Sequence, residues 1–164
     1  MSIRAEKARQ YFKDGYNCCQ AVVLAFIDEL DIDEKTALSL ASSFGGGFGR
    51  LREICGAVSG MGIVAGLKQG YSSPEANKNG KKAEHYALIQ KLAKEFEEKN
   101  GSIICRELTG LEKGTHIPDE RNKEYYKKRP CDAGQRNAPV LDPVAENAAK
   151  TQSGKCQHIV KQAH

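Results

Sequence analysis

The sequence is poor in the features that mark a membrane protein. None of its 164 residues is tryptophan, and its longest apolar segment, residues 54–67, is interrupted by a serine and several glycines. A transmembrane helix needs about 20 predominantly apolar residues. We therefore expect no membrane association.

The sequence also lacks a strong excess of charge. The net charge at pH 7 is +4, and the best basic patch, residues 123–129, is best interpreted as a solvated loop. Nucleic-acid-binding domains concentrate basic residues on one face, so we expect no nucleic-acid partner. Hydrophobic residues make up 40% of the chain, which suits a single folded domain over residues 1–164.

No secretion signal is visible in the first residues. The opening heptapeptide MSIRAEK is charged and helix-forming, without the apolar region or the cleavage site of a signal peptide. We therefore expect a cytoplasmic protein, in which disulfides are usually catalytic, sensing or transient. A chemical explanation is then needed for the six cysteines, which are Cys18, Cys19, Cys55, Cys105, Cys131 and Cys156.

No segment alternates polar and apolar residues as a β-strand requires, and the periodic segments are all helical. The predicted helices cover residues 3–13, 18–30, 34–43, 54–67 and 74–99, with short ones at 105–109 and near 120–127 and a last one from Pro143. Residues 110–142 show no sustained period. We predict an all-α fold: a single-domain bundle of about five to seven helices with a long irregular excursion near residues 110–142.

Residues 44–50 (FGGGFGR) contain four glycines but match no nucleotide-binding motif. Arg50 stands where a dinucleotide fingerprint needs its third glycine, and no lysine followed by serine or threonine is present to form a P-loop. We interpret the segment as a tight connection that lets two helices approach. A small anion site near Arg50 and Arg52 is the alternative.

The helix predicted over residues 54–67 carries glycine pairs four residues apart, Gly56 with Gly60 and Gly62 with Gly66. Each pair bares one helix face, and each glycine costs about 1 kcal/mol relative to alanine, so some contact must offset them. Close packing against the helix that carries Cys18 is one interpretation. The other is a flat cofactor lying on Gly56 and Gly60.

The cysteine spacing excludes several common motifs. No C-x-x-C is present, so a thioredoxin-type motif, a zinc knuckle and a c-type haem attachment are absent. Adjacent helical residues point about 100° apart, so we do not expect Cys18 and Cys19 to bind one metal together. A four-sulfur site built from distant helices stays open. Cys55 falls at the start of a helix near Arg50 and Arg52, which favours a nucleophilic thiolate, and the alternative is an inert buried thiol.

Several motifs follow one another in a specific order: GYNC at residues 15–18, QAV at 20–22, FGGG at 44–47, CGAVSG at 55–60, NGS at 100–102, CREL at 105–108, and Cys156 before IV at 159–160. This order resembles the C_GCAxxG_C_C family of redox-active proteins from bacteria and archaea. The resemblance implies a small helical protein whose cysteines serve disulfide exchange, electron transfer or metal binding. The family cysteines correspond to Cys18, Cys55, Cys105 and Cys156. Cys131 is a second candidate for the last position, and Cys19 stands where the family commonly has a small residue.

Three hypotheses follow from the residues and the resemblance. In the first, the chain is a thiol-based redox protein, and as an enzyme it would be a thiol-dependent oxidoreductase. Cys18 and Cys55 would lie close together, Cys105 and Cys156 would converge on the same end of the bundle, and Cys55 would be the attacking thiolate.

In the second hypothesis the same four sulfurs hold a metal ion or an iron–sulfur cluster. The first hypothesis, thiol-based redox chemistry, requires no cofactor. In the third, the chain is a helical interaction module whose inert cysteines lie far apart. The sequence specifies neither the redox partner nor the oligomeric state.

Overall fold

The computed structural model describes residues 2–127 and Cys131. This part of the chain contains no β-sheet, and its only strand-like pairing is a single antiparallel bridge between Ile54 and Ile104. The predicted all-α fold is confirmed. The α-helices are α1 (Ile3–Lys13), α2 (Cys18–Ala25), α3 (Glu34–Ala41), α4 (Gly56–Gln69), α5 (Lys81–Asn100), α6 (Cys105–Thr109) and α7 (Lys123–Lys127).

Two sequence predictions fall outside the described residues: the helix that begins at Pro143 and the position of Cys156. Among the helices that are described, none is long and apolar enough to cross a membrane.

Polar caps fix where the N-terminal helices begin. The side chain of Asn17 accepts hydrogen bonds from the backbone N–H groups of Cys19 and Gln20, and the Gln20 side chain accepts from the Asn17 N–H at 3.1 Å. This reciprocal capping box makes Cys18 the first residue of α2. The Asn17 side-chain amide also donates to the Ser42 carbonyl at 3.0 Å, which ties the start of α2 to the end of α3.

Helix α2 forms the centre of the core. It packs against α1, α3 and α4, and Cys19 and residues 21–25 are all buried. A helix that is apolar on every side is stable only when other elements surround it. The first residue of α2, Cys18, is therefore held at the edge of the best-packed part of the molecule.

The contact between α2 and α4 is made at two glycines. A Cβ atom added at Gly56 would lie 2.9 Å from Cys18 Cβ, and one added at Gly60 would lie 2.8 Å from Val22 Cβ. The interpretation as close packing against the helix that carries Cys18 is confirmed. Helix α2 fills the space that a flat cofactor on Gly56 and Gly60 would need, so the cofactor interpretation of this pair is corrected.

Several helix boundaries differ from the sequence prediction. Helix α2 ends at Ala25 instead of residue 30 and is followed by a 3₁₀ turn, Ile27–Glu29, and α3 ends at Ala41 instead of residue 43. The segment predicted as one helix over residues 74–99 is divided into a 3₁₀ turn, Pro74–Asn77, and helix α5, because Gly80 between them has a left-handed φ of 79°. Helix α4 begins at Gly56 instead of Ile54, because Ile54 pairs with Ile104 in the antiparallel bridge. Neither the left-handed residue nor the bridge leaves a periodic signal in the sequence.

The described part of the excursion, residues 110–127, folds back over one end of the bundle. Arg50 donates a hydrogen bond to the Thr115 carbonyl at 2.8 Å and pairs with Asp119 at 3.1 Å. Arg121 donates to the carbonyls of Phe12 and Tyr16, at 2.9 and 3.0 Å. The excursion therefore covers the end of α1 and the glycine loop, next to the first turn of α2.

The two glycine pairs of α4 give a matched test of this packing. We expect Gly60→Ala to lower the free energy of unfolding by about 1–3 kcal/mol, because the new methyl group overpacks against α2. In the described part of the chain, no atom outside the local helix backbone and the adjacent residues lies within 4 Å of a Cβ at Gly62. Gly62→Ala should therefore raise the free energy of unfolding by up to about 1 kcal/mol. Denaturant titration of both variants measures the difference, and equal effects would contradict the packing.

Candidate functional site

Cys18 lies at the first turn of α2 with its sulfur among hydrogen-bond donors. The thiol of Cys131 donates to it, and so does the backbone N–H of Gly46, while Arg121 contributes a nearby positive charge. Burial acts in the opposite direction, but the donors prevail and lower the pKa of Cys18 to about 7. A large fraction of this thiol is therefore ionised near neutral pH.

The glycine loop that reaches Cys18 is a run of left-handed residues. From Gly46 to Arg50 every φ is positive, with values of 64°, 73°, 63°, 59° and 69°. Left-handed backbone costs about 1–2 kcal/mol for each residue that is not glycine, here Phe48 and Arg50. The tight connection predicted for residues 44–50 is thus present, and its unusual conformation directs the Gly46 N–H at the Cys18 sulfur.

The same loop touches a second cysteine. A Cβ atom at Gly47 would lie 2.7 Å from the Cβ of Cys105. Adjacent Cα atoms are about 3.8 Å apart, so consecutive residues of one loop contact Cys18 and Cys105. The two cysteines are therefore close neighbours, although 86 positions separate them in the sequence.

Cys55 and Cys105 are brought together by the antiparallel bridge. The N–H of Cys55 donates to the Ile103 carbonyl at 2.8 Å, and the N–H of Cys105 donates to the Glu53 carbonyl at 2.6 Å. Neighbours of a bridged pair point to the opposite face from the pair itself. Both cysteines thus lie on the same side of the bridge, where Cys55 is partly buried and Cys105 is only 5% exposed.

Cys55, the attacking thiolate expected from the sequence, has surroundings that act on its pKa in the opposite direction from those of Cys18. Burial raises the pKa of Cys55 to about 12, and the Cys18 thiolate adds to the effect. The two arginines expected to activate Cys55 are directed elsewhere: Arg50 pairs with Asp119, and Arg52 donates a hydrogen bond to Cys105. Arg50 and Arg52 are close to Cys55 in the sequence, but their side chains interact with other residues.

Arg50 and Arg52 also formed the alternative anion site of the sequence analysis. The pairing of Arg50 with Asp119 gives its charge a protein partner. Arg52 differs, because it is 2% exposed and its Nε–H has no hydrogen-bond partner. Burial raises the pKa of Cys105, the hydrogen bond from Arg52 opposes this, and the Cys18 thiolate raises the pKa further.

The remaining described cysteines differ in position: Cys19 belongs to the core and Cys131 to the site. Cys19 is fully buried, and burial raises its pKa to about 12. Cys131, the second candidate for the last family position, is partly buried against Cys18. Its pKa is raised, first because its thiol proton is shared with the Cys18 thiolate and then by burial. Cys156, the first choice for the last family position, lies outside the described residues.

The described site is a group of four cysteines, which we call the cysteine cluster: Cys18, Cys55, Cys105 and Cys131. The Cys18 charge acts on each of the other three. The interaction-module hypothesis expects the cysteines to lie far apart. Cys18, Cys55 and Cys105 do not fit this expectation, because they lie close together. No disulfide is formed by the five cysteines of the described chain, and within that part no three Cys, His, Asp or Glu side chains are placed to hold a metal.

Sequence reasoning missed Arg121, and it named Cys131 only as the second candidate for the last family cysteine, without placing it beside Cys18. Both lie in the excursion, which has no periodic pattern and meets α2 more than 100 residues later in the chain. The one sequence signal available was the arginine itself, placed before two tyrosines. Arg121 stacks on Tyr125 and Phe12, with 5.6 and 5.1 Å between its guanidinium carbon and the ring centroids.

Comparison with known proteins gives one match. The model of a protein family described as "Putative redox-active protein (C_GCAxxG_C_C)" matches residues 16–164. This range contains the whole cysteine cluster, and it confirms the resemblance carried by the sequence motifs. A search of curated proteins and a search of solved structures each found no match.

The hydrogen bond between Cys131 and Cys18 can be tested by paired substitutions. Cys131→Ala removes the donor and should raise the pKa of Cys18 by at least about one unit. Cys131→Ser keeps an O–H donor and should leave the pKa of Cys18 near its value of about 7. The measurement is the rate of Cys18 alkylation against pH, with the modified peptide identified by mass spectrometry. Identical profiles in the two variants would refute the assigned donor.

Proposed function

We propose that this chain, which belongs to the C_GCAxxG_C_C family of redox-active proteins, carries out thiol–disulfide exchange with Cys18 as the attacking nucleophile and Cys131 as the resolving thiol. The observation that carries the proposal is the hydrogen bond from the Cys131 thiol to the Cys18 sulfur. Two sulfurs in hydrogen-bonding contact need little movement to form a disulfide.

The environment of Cys18 supports its role as nucleophile. Exchange is fastest for a thiol whose pKa lies near the ambient pH, because such a thiol is ionised yet still nucleophilic. With a pKa of about 7, Cys18 meets this condition. Cys18 is also partly exposed, whereas Cys19 is fully buried. Of these two adjacent cysteines, Cys18 is therefore the one that we assign to the attack.

The reaction balances within the dithiol and its substrate. The Cys18 thiolate attacks one sulfur of a disulfide substrate, the substrate S–S bond breaks, and the other substrate sulfur leaves as a thiolate that takes up a proton. The Cys131 sulfur then loses its proton and attacks Cys18, and the second substrate sulfur leaves and is protonated in turn. The substrate disulfide becomes two thiols, and the protein dithiol becomes a Cys18–Cys131 disulfide.

The charge of Cys18 sets the order of these two steps. In the dithiol, the Cys18 thiolate holds the proton of Cys131 and raises its pKa. When Cys18 is bound in a mixed disulfide it carries no charge, so Cys131 ionises more readily and can attack. A dithiol reductant would return the protein to its starting state. We propose a cytoplasmic location, because a reducing compartment keeps this cycle supplied.

Disulfide mapping tests the proposed function. We expect one equivalent of diamide to remove two free thiols and to produce a Cys18–Cys131 link, and dithiothreitol to restore both thiols. Cys131→Ser should abolish this link because it removes the resolving sulfur. Cys19→Ala, the matched control next to Cys18, should leave the link intact because Cys19 belongs to the core.

Two results would contradict the assignment. One is an unchanged number of free thiols after oxidation, which would exclude disulfide cycling. The other is a stoichiometric metal in anaerobically purified protein that shields Cys18 from alkylation, since this would favour the metal hypothesis.

A further inference from the structure

Within the described residues, Arg52 is a buried cation that lacks the partners such a group requires. Only 2% of its surface is exposed, its Nε–H donates to no acceptor, and no ion pair with a carboxylate joins it to the described residues. A buried charge is costly unless it is paired and hydrogen-bonded. Its backbone adds to the cost, with a left-handed φ of 62°. Strain of this kind persists where the surroundings enforce it, often at functional sites.

The side chain that Arg52 does lie beside is Cys105, and its positive charge favours the Cys105 thiolate. Backbone hydrogen bonds fix both partners. The N–H of Arg52 donates to the Gly46 carbonyl at 3.2 Å, and the N–H of Arg106 donates to the Arg52 carbonyl at 3.1 Å. The N–H of Cys105 itself donates to Glu53 at 2.6 Å. The guanidinium is therefore held beside Cys105 by the framework that shapes the whole cluster.

We propose that Arg52 is a positioning residue that makes Cys105 a second nucleophile, and that Cys105 takes the Cys18 sulfur from Cys131 once Cys18 is oxidised. This inference rests on the proposed function, because it begins from the Cys18–Cys131 disulfide. In this proposal the Cys105 thiolate becomes an anionic partner of the buried Arg52 guanidinium at one stage of the cycle.

The transfer is an isomerisation and needs no external reagent. The Cys105 thiolate attacks the Cys18 sulfur, a Cys18–Cys105 bond forms, and the Cys18–Cys131 bond breaks with its electron pair on Cys131. The proton that left Cys105 is balanced by the proton that Cys131 takes up. The number of disulfides and of free thiols stays the same.

The charges in the cluster explain why the transfer follows oxidation. In the dithiol state the Cys18 thiolate opposes ionisation of Cys105, whereas Arg52 favours it. Oxidation of Cys18 removes the opposing charge and leaves the favourable contacts in place. Gly46 lies beside Cys18 and Gly47 lies against the Cβ of Cys105, so one short loop keeps the two residues near each other.

The product of the transfer differs from its precursor in where the covalent link lies. The Cys18–Cys131 disulfide ties α2 to a residue of the excursion, whereas a Cys18–Cys105 disulfide joins α2 to α6 inside the bundle. Transfer thus releases Cys131 as a free thiol, which can meet a further thiol or disulfide. The chain would then present different cysteines to the oxidant and to the partner that reduces it.

A time course of disulfide mapping tests the inference on the full-length protein. After one equivalent of diamide, samples quenched with acid should show the Cys18–Cys131 link first and the Cys18–Cys105 link later. Cys105→Ser should stop at the first link. If the first link never forms, the proposed function itself is wrong. If the first link forms and Cys105 stays free in the wild-type protein, only the further inference is overturned.

Arg52 variants separate activation of Cys105 from a structural role. Arg52→Met should slow the transfer by at least about tenfold, the factor that one pKa unit carries for a thiolate. Arg52→Lys keeps the charge and should restore most of the rate, which a purely structural role would not predict. Equal transfer rates in the Met variant and the wild-type protein would overturn the role of Arg52. If the Met variant does not fold, a Lys variant that transfers no faster than about a tenth of the wild-type rate would overturn it as well.

Discussion

The cysteine cluster depends on the close approach of α2 and α4. The two helices meet where Gly56 and Gly60 have no side chains, and a Cβ at Gly56 would lie 2.9 Å from Cys18 Cβ. Cys55 immediately precedes this contact, and the bridge between Ile54 and Ile104 starts one residue before it. Once the helices are packed, α2 supplies Cys18, the segment before α4 supplies Cys55, and the bridge supplies Cys105.

The electrostatics of the cluster separate four chemically identical thiols. Cys18 sits at a helix N-terminus among donors and near Arg121, so its pKa falls to about 7. Burial and the charge of Cys18 raise the pKa of Cys55 to about 12. Burial also raises the pKa of Cys105, and Arg52 opposes this effect. Burial and the negative charge on Cys18 thus act together to raise the pKa of Cys55 and Cys105.

Much of the fold could be predicted from sequence because its signals are local. Asn17 and Asp33 cap helices that begin where expected, and the four-residue glycine spacing predicts the contact between α2 and α4. The site was harder to predict. Cys55 was expected to be activated by neighbouring arginines, but burial decides its pKa. The contacts of Arg121 and Cys131 with the start of α2 join residues more than 100 positions apart, which no periodic pattern reports.

The central claim is that one cysteine of the cluster is ionised at neutral pH and that it is Cys18. Alkylation of the reduced protein with less than one equivalent of iodoacetamide, at about pH 7, tests this directly when the labelled peptides are quantified by mass spectrometry. The account predicts that most of the label is found on Cys18, with little on Cys55 or Cys105. Label concentrated on Cys55, or distributed equally among the cysteines, would contradict it.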